Sequence, residues 1–154
     1  MVSHRLKFAP RLARDRAHRM AMLRNMVTSL IEHERILTTH TKAKYAQRYA
    51  EQMVAYARAN TVTSYRKANA FVRGVDNMKK LFGMLAQRYA YRPSGFTRVV
   101  HVRRRDGDNA PLSYLEFVDR PNELRPAIIQ TPQTWQQHLA QRRINDERQR
   151  QQRY

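Results

Sequence analysis

Apolar positions recur at helical spacing in four stretches of the chain, and this pattern gives the first outline of the fold. In residues 15–32 apolar side chains return every three to four positions, which predicts an amphipathic helix with Asp15 as its N-cap. The predicted buried face of this helix consists of Met20, Leu23, Val27, Leu30 and Ile31. Polar residues occupy the opposite side, so the helix should cover one flank of a hydrophobic core.

The same spacing predicts three further helices. The second is capped by Thr39 or Thr41 and ends near Ala59. A shorter third helix covers residues 64–72, and Gly74 closes it; its predicted inward residues are Tyr65, Ala68, Phe71 and Val72. A fourth, capped by Asp76, covers residues 77–89, with its predicted buried residues being Met78, Leu81, Phe82, Leu85 and Tyr89.

Three strands complete the predicted fold. Residues 35–39 are rich in β-branched side chains, and residues 96–103 and 112–118 alternate between apolar and polar positions. The last two strands flank the turn-rich residues 106–111, which predicts an antiparallel hairpin. We therefore expect an α+β fold over residues 15–120, a two-layer α/β domain in which about four helices pack on a small mixed sheet.

The two ends of the chain differ from this domain. Residues 1–14 contain no acidic residue and are interrupted by Pro10, which indicates an extended basic arm; their composition also fits an organellar targeting segment. Residues 121–154 begin with several prolines and become rich in Gln and Arg. Their few apolar residues cannot form a core, so we expect an extension that docks on another molecule or stays mobile.

The charge of the chain gives the first indication of its function. The chain has 30 Lys and Arg against 12 Asp and Glu, a net charge of +18, and 24 of the basic residues are Arg. Because the planar guanidinium pairs bidentately with phosphate, this bias favours a nucleic-acid partner. Lys42, Lys44 and Arg48 crowd the start of the second helix, where cations oppose the helix dipole unless a phosphate lies close to the exposed N–H groups.

Other chemistry has little support in the sequence. The chain has no cysteine, its six histidines form no H-x-x-x-H pair, and we expect neither a metal site nor a cofactor. It has no nucleophile elbow, and Asp106 and Asp108 are typical turn formers, so we expect no catalytic residue and no small-molecule substrate. No apolar run approaches the roughly 20 residues that span a membrane, so no membrane partner is expected.

Six sequence blocks, in order along residues 3–120, resemble the family of bacterial-type large-subunit ribosomal protein seventeen. The first is residues 17–26 (AHRMAMLRNM), followed by Ser29, Leu30, His33 and Glu34. The others are residues 38–44 (TTHTKAK), 80–82 (KLF), 95–98 (GFTR), 107–111 (GDNAP) and 116–120 (EFVDR). Their number and order make the resemblance specific.

The resemblance implies a structural constituent of the large ribosomal subunit that binds large-subunit rRNA near the tunnel exit during translation and has no catalytic role. The rRNA-binding residues it implies are His18, Arg19, Arg24, Asn25, His33, Thr38, Thr39, Lys42, Lys44 and Arg98, with Arg5, Lys7 and Arg11 on the arm. The pattern of basic residues adds Arg14, Arg48 and Arg92. Neighbouring large-subunit ribosomal proteins are expected partners, reached through residues 121–154.

The chain also departs from the family pattern. Thr41 stands where the family usually has proline, and residues 92–95 (RPSG) replace a more glycine-rich approach to the next strand. Residues 121–154 exceed the short bacterial ending. This extension and the arginine bias resemble a mitochondrial version, so we expect a mitochondrial ribosome, with the bacterial cytoplasm as the alternative. Composition alone also allows a basic architectural nucleic-acid-binding protein outside the ribosome, and an RNA-processing enzyme is disfavoured by the absence of an acid–base pair.

Overall fold

A computed structural model describes residues 12–125, and residues 1–11 and 126–154 lie outside this range. The predicted basic arm, including Arg5, Lys7 and Arg11, and most of the predicted extension are therefore not described. The elements in chain order are α1 (Arg16–His33), β1 (Arg35–Thr39), α2 (His40–Ala59), α3 (Val62–Asn69), α4 (Val75–Lys80), a π-helical turn (Leu81–Leu85), α5 (Ala86–Arg88), β2 (Thr97–Arg104) and β3 (Pro111–Phe117).

The three strands form one sheet in the order β1-β3-β2. Both pairings are antiparallel: Arg35 pairs with Glu116 across β1 and β3, and Arg98 pairs with Glu116 across β2 and β3. The expected α+β class, with helices packed on a small sheet, is confirmed. The expectation of a mixed sheet is wrong for the described residues, because the last two strands form a hairpin and β1 joins its second strand, also antiparallel.

The hydrophobic core lies between the helices and one face of this sheet, which we call the inner face. Leu23 and Val27 of α1 meet the small residues of α2 there, and Leu115 and Phe117 of β3 are fully buried beneath them. Ala43, Ala46, Ala50 and Ala57 give α2 a buried face of small side chains, which lets it pack closely on its neighbours. The Tyr89 hydroxyl is buried in the same core and donates to the Val118 carbonyl at 2.6 Å.

The start of α1 matches the sequence prediction. The Asp15 carboxylate accepts the backbone N–H groups of Ala17 at 3.1 Å and His18 at 3.3 Å, so it caps the helix as expected. At the other end, Glu34 takes up a left-handed conformation with φ of 61° and its N–H bonds to the Leu30 carbonyl, which ends the helix and turns the chain into β1.

Three local predictions are wrong. The third helix begins two residues earlier than expected because Thr61 and Ser64 form a reciprocal capping box. The fourth begins at Val75 with Gly74, not Asp76, as N-cap, since Gly74 has a φ of 87° that suits glycine. Tyr65 is 48% exposed rather than inward, because α3 turns the smaller Ser64 and Ala68 toward the core.

Candidate nucleic-acid interface

The first halves of α1 and α2 lie side by side. The Tyr49 hydroxyl of α2 contacts the Met20 sulfur of α1 at 3.6 Å, and the Tyr49 ring stacks on Phe71 with centroids 5.1 Å apart. Because Arg19 precedes Met20 and Arg48 precedes Tyr49, this contact brings basic positions of the two helices to one region of the surface.

A surface concavity marks the start of α1. It has a volume of about 540 Å³ and is lined by Ala13, Arg14, Asp15, Arg16 and Arg19. Arg19 donates to the Arg14 carbonyl at 3.3 Å, and the buried Arg14 Nε has no hydrogen-bond partner within residues 12–125. Arg16 is exposed here although the sequence analysis did not single it out; its position directly after the Asp15 cap was the available signal.

Further cations extend this region along both helices. The Arg24 guanidinium lies 5.8 Å from the centre of the Phe71 ring, and its buried Nε has no hydrogen-bond partner in the described part of the chain. Lys44 and Arg48 are exposed one turn apart on α2, and Arg48 lies over the Tyr45 ring at 5.9 Å. We call the set formed by Arg14, Arg16, Arg19, Arg24, Lys44 and Arg48 the α1–α2 basic surface.

Two more predicted residues of α1 and three around the start of α2 adjoin this surface. His18 and Asn25 are exposed on α1. Thr38 and Thr39 end β1, and Lys42 lies in the first turn of α2. The Thr39 side chain makes no capping hydrogen bond and the first turn of α2 has no acidic residue, so its N–H groups and Lys42 present only positive charge.

Three cations of the α1–α2 basic surface have no carboxylate partner in the described part of the chain. Among residues 12–125 no Asp or Glu lies within 4 Å of the charged nitrogens of Arg24, Lys44 or Arg48. Charges of one sign gathered in this way attract polyanions and are relieved by them.

Other arginines of the domain are paired. Arg88 donates to both oxygens of Glu34, at 2.7 and 3.2 Å, and Lys80 lies 3.3 Å from the same carboxylate. Burial opposes the charged form of Glu34, but hydrogen bonds and Coulomb attraction from Arg88 and Lys80 outweigh it, and the pKa of Glu34 falls below its ordinary value. Arg35 pairs with the fully buried Glu116 at 2.8 Å. These arginines hold the fold together.

Three predicted residues do not join the α1–α2 basic surface. Arg92 is largely buried and paired with Asp119 at 2.9 Å, which fastens the turn before β2 to the end of β3. Arg98 extends from the other face of the sheet and bonds to the Arg125 carbonyl. His33 is exposed beside Glu32 in the last turn of α1, about 20 Å or more from the first turn.

Glu51 is a structural residue that the sequence analysis missed. Its carboxylate accepts the backbone N–H groups of Gly95, Phe96 and Thr97 at 3.2, 3.1 and 2.7 Å, and the Thr97 hydroxyl at 2.6 Å. Glu51 thereby fixes the entry of β2 against α2. The 44 residues that separate Glu51 from Gly95 left no local signal of this contact.

The part of the chain that the structure describes has neither a candidate metal site nor a membrane-spanning helix. No group of three or more His, Cys, Asp or Glu side chains within residues 12–125 could hold a metal ion. None of the helices in this range is both long and apolar enough to cross a membrane.

Sequence comparison with known proteins shows a match to a family of ribosomal proteins. Residues 22–118 match the family described as ribosomal protein L17. The chain is 48% identical over 116 residues to the large ribosomal subunit protein bL17 of Anaeromyxobacter sp. (strain K), covering 75% of this chain and 73% of the relative. It is 44% identical over 116 residues to the protein of the same name from Myxococcus xanthus (strain DK1622), covering 75% and 84% respectively. The chain therefore belongs to the ribosomal protein L17 family.

Proposed function

We propose that this chain binds large-subunit rRNA through the α1–α2 basic surface and the adjoining start of α2. Since its family consists of ribosomal proteins, the chain is a structural component of the ribosome and not an enzyme, as its sequence led us to expect. Its relatives carry the name of a large-subunit protein, which supports assembly into the large subunit.

The observation that carries this proposal is the contrast between paired and unpaired cations. Arg24, Lys44 and Arg48 have no carboxylate within ion-pair distance in the described range, although other arginines of the same domain do. Phosphate oxygens form strong, charge-assisted hydrogen bonds with guanidinium and ammonium groups that have no carboxylate partner. A folded RNA presents such oxygens at the spacing of its backbone.

The mechanism is electrostatic clamping. Each phosphate neutralised by Arg or Lys releases condensed counterions, so affinity should fall steeply as salt rises. The wide minor groove and the backbone of A-form RNA are what side chains can reach, so recognition should depend mainly on rRNA shape. The basic arm, with Arg5, Lys7 and Arg11, would add contacts between rRNA helices.

Position within the ribosome and the compartment are further parts of the proposal. The family resemblance supports a position near the tunnel exit, with residues 121–154 contacting neighbouring ribosomal proteins. The similar relatives come from Anaeromyxobacter and Myxococcus, so we propose the bacterial cytoplasm, the alternative to the mitochondrial ribosome in the sequence analysis. Sedimentation of lysate fractions through a sucrose gradient at low salt tests the compartment and the association with the large subunit, with which the protein should remain.

Binding of the purified full chain to large-subunit rRNA and to duplex DNA, measured at matched salt, tests the proposed function. We expect a preference for the structured rRNA and a loss of about 10³–10⁵ in affinity between about 50 and 200 mM salt, the range for 6–10 phosphate contacts. A preference for duplex DNA would instead support a basic architectural protein outside the ribosome.

A further inference from the structure

An exposed cluster of apolar side chains lies where α3 meets the π-helical turn. The Tyr65 ring of α3 contacts the Phe82 ring of the turn, with ring centroids 5.0 Å apart, and Tyr65 remains 48% exposed. Val62 precedes Tyr65 by three residues, so both lie on one face of α3, and Val62 is 71% exposed. We call Val62, Tyr65 and Phe82 the α3 apolar surface. Exposed apolar side chains at adjacent positions indicate a surface that another molecule covers.

A surface concavity continues the α3 apolar surface at Phe82. It has a volume of about 390 Å³ and lies between the last turn of α2 and α5. Ala57, Phe82 and Ala86 line it with apolar groups, and Arg58 contributes a cation. Ligand pockets in proteins have volumes of about 300–1,000 Å³, so this concavity can hold a large side chain of a partner.

The elements that form this surface carry positive charge and no carboxylate side chain. The chain has no Asp or Glu in residues 52–75 or in residues 77–105, which include the end of α2, α3, the π-helical turn and α5. Arg58 donates to two backbone carbonyls, at 3.2 and 3.3 Å, which fixes its guanidinium beside the concavity. Arg66 is exposed and follows Val62 by four residues, so it lies on the same face of α3. The α3 apolar surface therefore has a basic rim.

Charge and polarity together favour one kind of partner. Phosphate oxygens of an RNA would pair with the cations but would leave Val62, Tyr65 and the concavity without matching apolar contacts. A second copy of the chain brings the same net charge of +18, and residues 126–154 contain five Arg against two acidic residues. Because like charges repel, neither of these complements the basic rim. A protein segment that carries carboxylates beside an apolar side chain complements both the rim and the concavity.

The two surfaces lie at opposite ends of α2. Lys44 and Arg48 of the α1–α2 basic surface are in the first half of the helix, and Arg58 is in its last turn. At a rise of about 1.5 Å per residue, Lys44 and Arg58 are about 20 Å apart along the helix axis. An rRNA bound to the α1–α2 basic surface therefore leaves the α3 apolar surface accessible.

We propose that the α3 apolar surface docks a segment of a neighbouring large-subunit ribosomal protein in which an apolar side chain lies next to Asp or Glu. The apolar side chain fills the concavity beside Phe82, and the carboxylate lies near Arg58 and Arg66. Tyr65 is the aromatic residue at the centre of this contact, as is typical of protein interfaces. The inference rests on the assembly into the large subunit proposed above, and it assigns a protein contact to the domain itself.

Photo-cross-linking within the large subunit tests this contact. Because the chain contains no cysteine, Val62→Cys can carry benzophenone maleimide as a single cross-linker. In purified large subunits that contain this variant, irradiation should join it to a protein peptide with Asp or Glu close to the cross-linked residue, as mapped by mass spectrometry. The same reagent at Val102→Cys, on β2 and 45% exposed, is the control and should not join that peptide.

A charge reversal tests the complementarity. Arg66→Glu should lower the yield of the cross-link from Val62→Cys at least about threefold, because it places like charges together, and Arg66→Lys should retain most of it. An equal yield for Arg66→Glu would overturn the proposal. So would a cross-link to rRNA, to a second copy of the chain or to a peptide without acidic residues, or the absence of any cross-link. A chain that fails to sediment with the large subunit would refute the proposed function as well, whereas a chain that sediments without the expected cross-link would refute this inference alone.

Discussion

Two groups of basic residues in this domain have opposite surroundings. Arg35 and Arg88 face the carboxylates of Glu116 and Glu34, both of which are mostly or fully buried. Arg24, Lys44 and Arg48, on α1 and α2, have no such partner within the described residues. The comparison separates cations that stabilise the fold from cations that have no carboxylate partner in the described range, a distinction that net charge alone cannot make.

The largest expected effect on stability comes from breaking the ion pair between Arg35 and Glu116. Replacement of Glu116 by Ala removes a fully buried carboxylate and leaves Arg35 and the Leu124 N–H without their acceptor. Loss of one partner of a buried pair typically costs about 3–5 kcal/mol, so Glu116→Ala should lower the free energy of unfolding by this amount in urea titrations. Glu116→Gln keeps an acceptor for Leu124 and should recover part of the loss. A change below about 1 kcal/mol for Glu116→Ala would show that the pair is dispensable.

A smaller effect on stability comes from the paired carboxylate of Glu34, and it depends on pH. The folded-state pKa of Glu34 lies below 4.5, its ordinary value, so its pairing stabilises the fold above pH 4.5 and this contribution is lost as pH falls through the folded pKa. Glu34→Gln should cost about 1–3 kcal/mol at pH 7 and flatten the decline in stability below pH 4.5. Thermal melts of both proteins between pH 7 and pH 3 measure this difference. Parallel pH profiles would contradict the assigned role of Glu34.

The smallest effect is expected at the hairpin tip. Asp108 is paired with Arg105 at the exposed turn, and hydrogen bonds from the Arg105 side chain and the Ala110 backbone lower its pKa to about 2. Because water screens this exposed pair, Asp108→Asn should leave the melting temperature unchanged within experimental error. A clear drop in melting temperature would mean that exposed pairs also stabilise this domain, and the contrast drawn above would weaken.

The sequence predicted the positions of helices and strands better than the contacts between them. Apolar spacing and the Asp15 cap predicted α1 to within about one residue, since both are local signals. The exposure of Tyr65 and the start of α4 at Val75, with Gly74 as its N-cap, depended on packing and backbone conformation that periodicity does not carry. The direction in which β1 pairs with β3 also depends on long-range contacts. The expectation of a mixed sheet was therefore wrong.

The candidate site shows the same division. The concentration of cations on α1 and at the start of α2 was visible in the sequence, and the structure brings several of them together. Arg92 could not be separated from them, because its partner Asp119 lies 27 residues away and the Arg88–Glu34 and Arg35–Glu116 pairs span 54 and 81 residues. Which arginine meets a carboxylate is decided by tertiary structure.

The most direct test of the account reverses two unpaired cations. Lys44→Glu with Arg48→Glu changes the exposed face of α2, and Arg66→Glu with Lys79→Glu makes the same change in net charge at exposed positions of α3 and α4. We predict that the α2 variant binds large-subunit rRNA at least about tenfold more weakly and that its salt dependence falls by about two phosphate contacts. The α3–α4 control should retain the affinity and salt dependence of the unaltered chain. Equal losses in both variants, or no loss in the α2 variant, would contradict the assignment of rRNA binding to the α1–α2 basic surface.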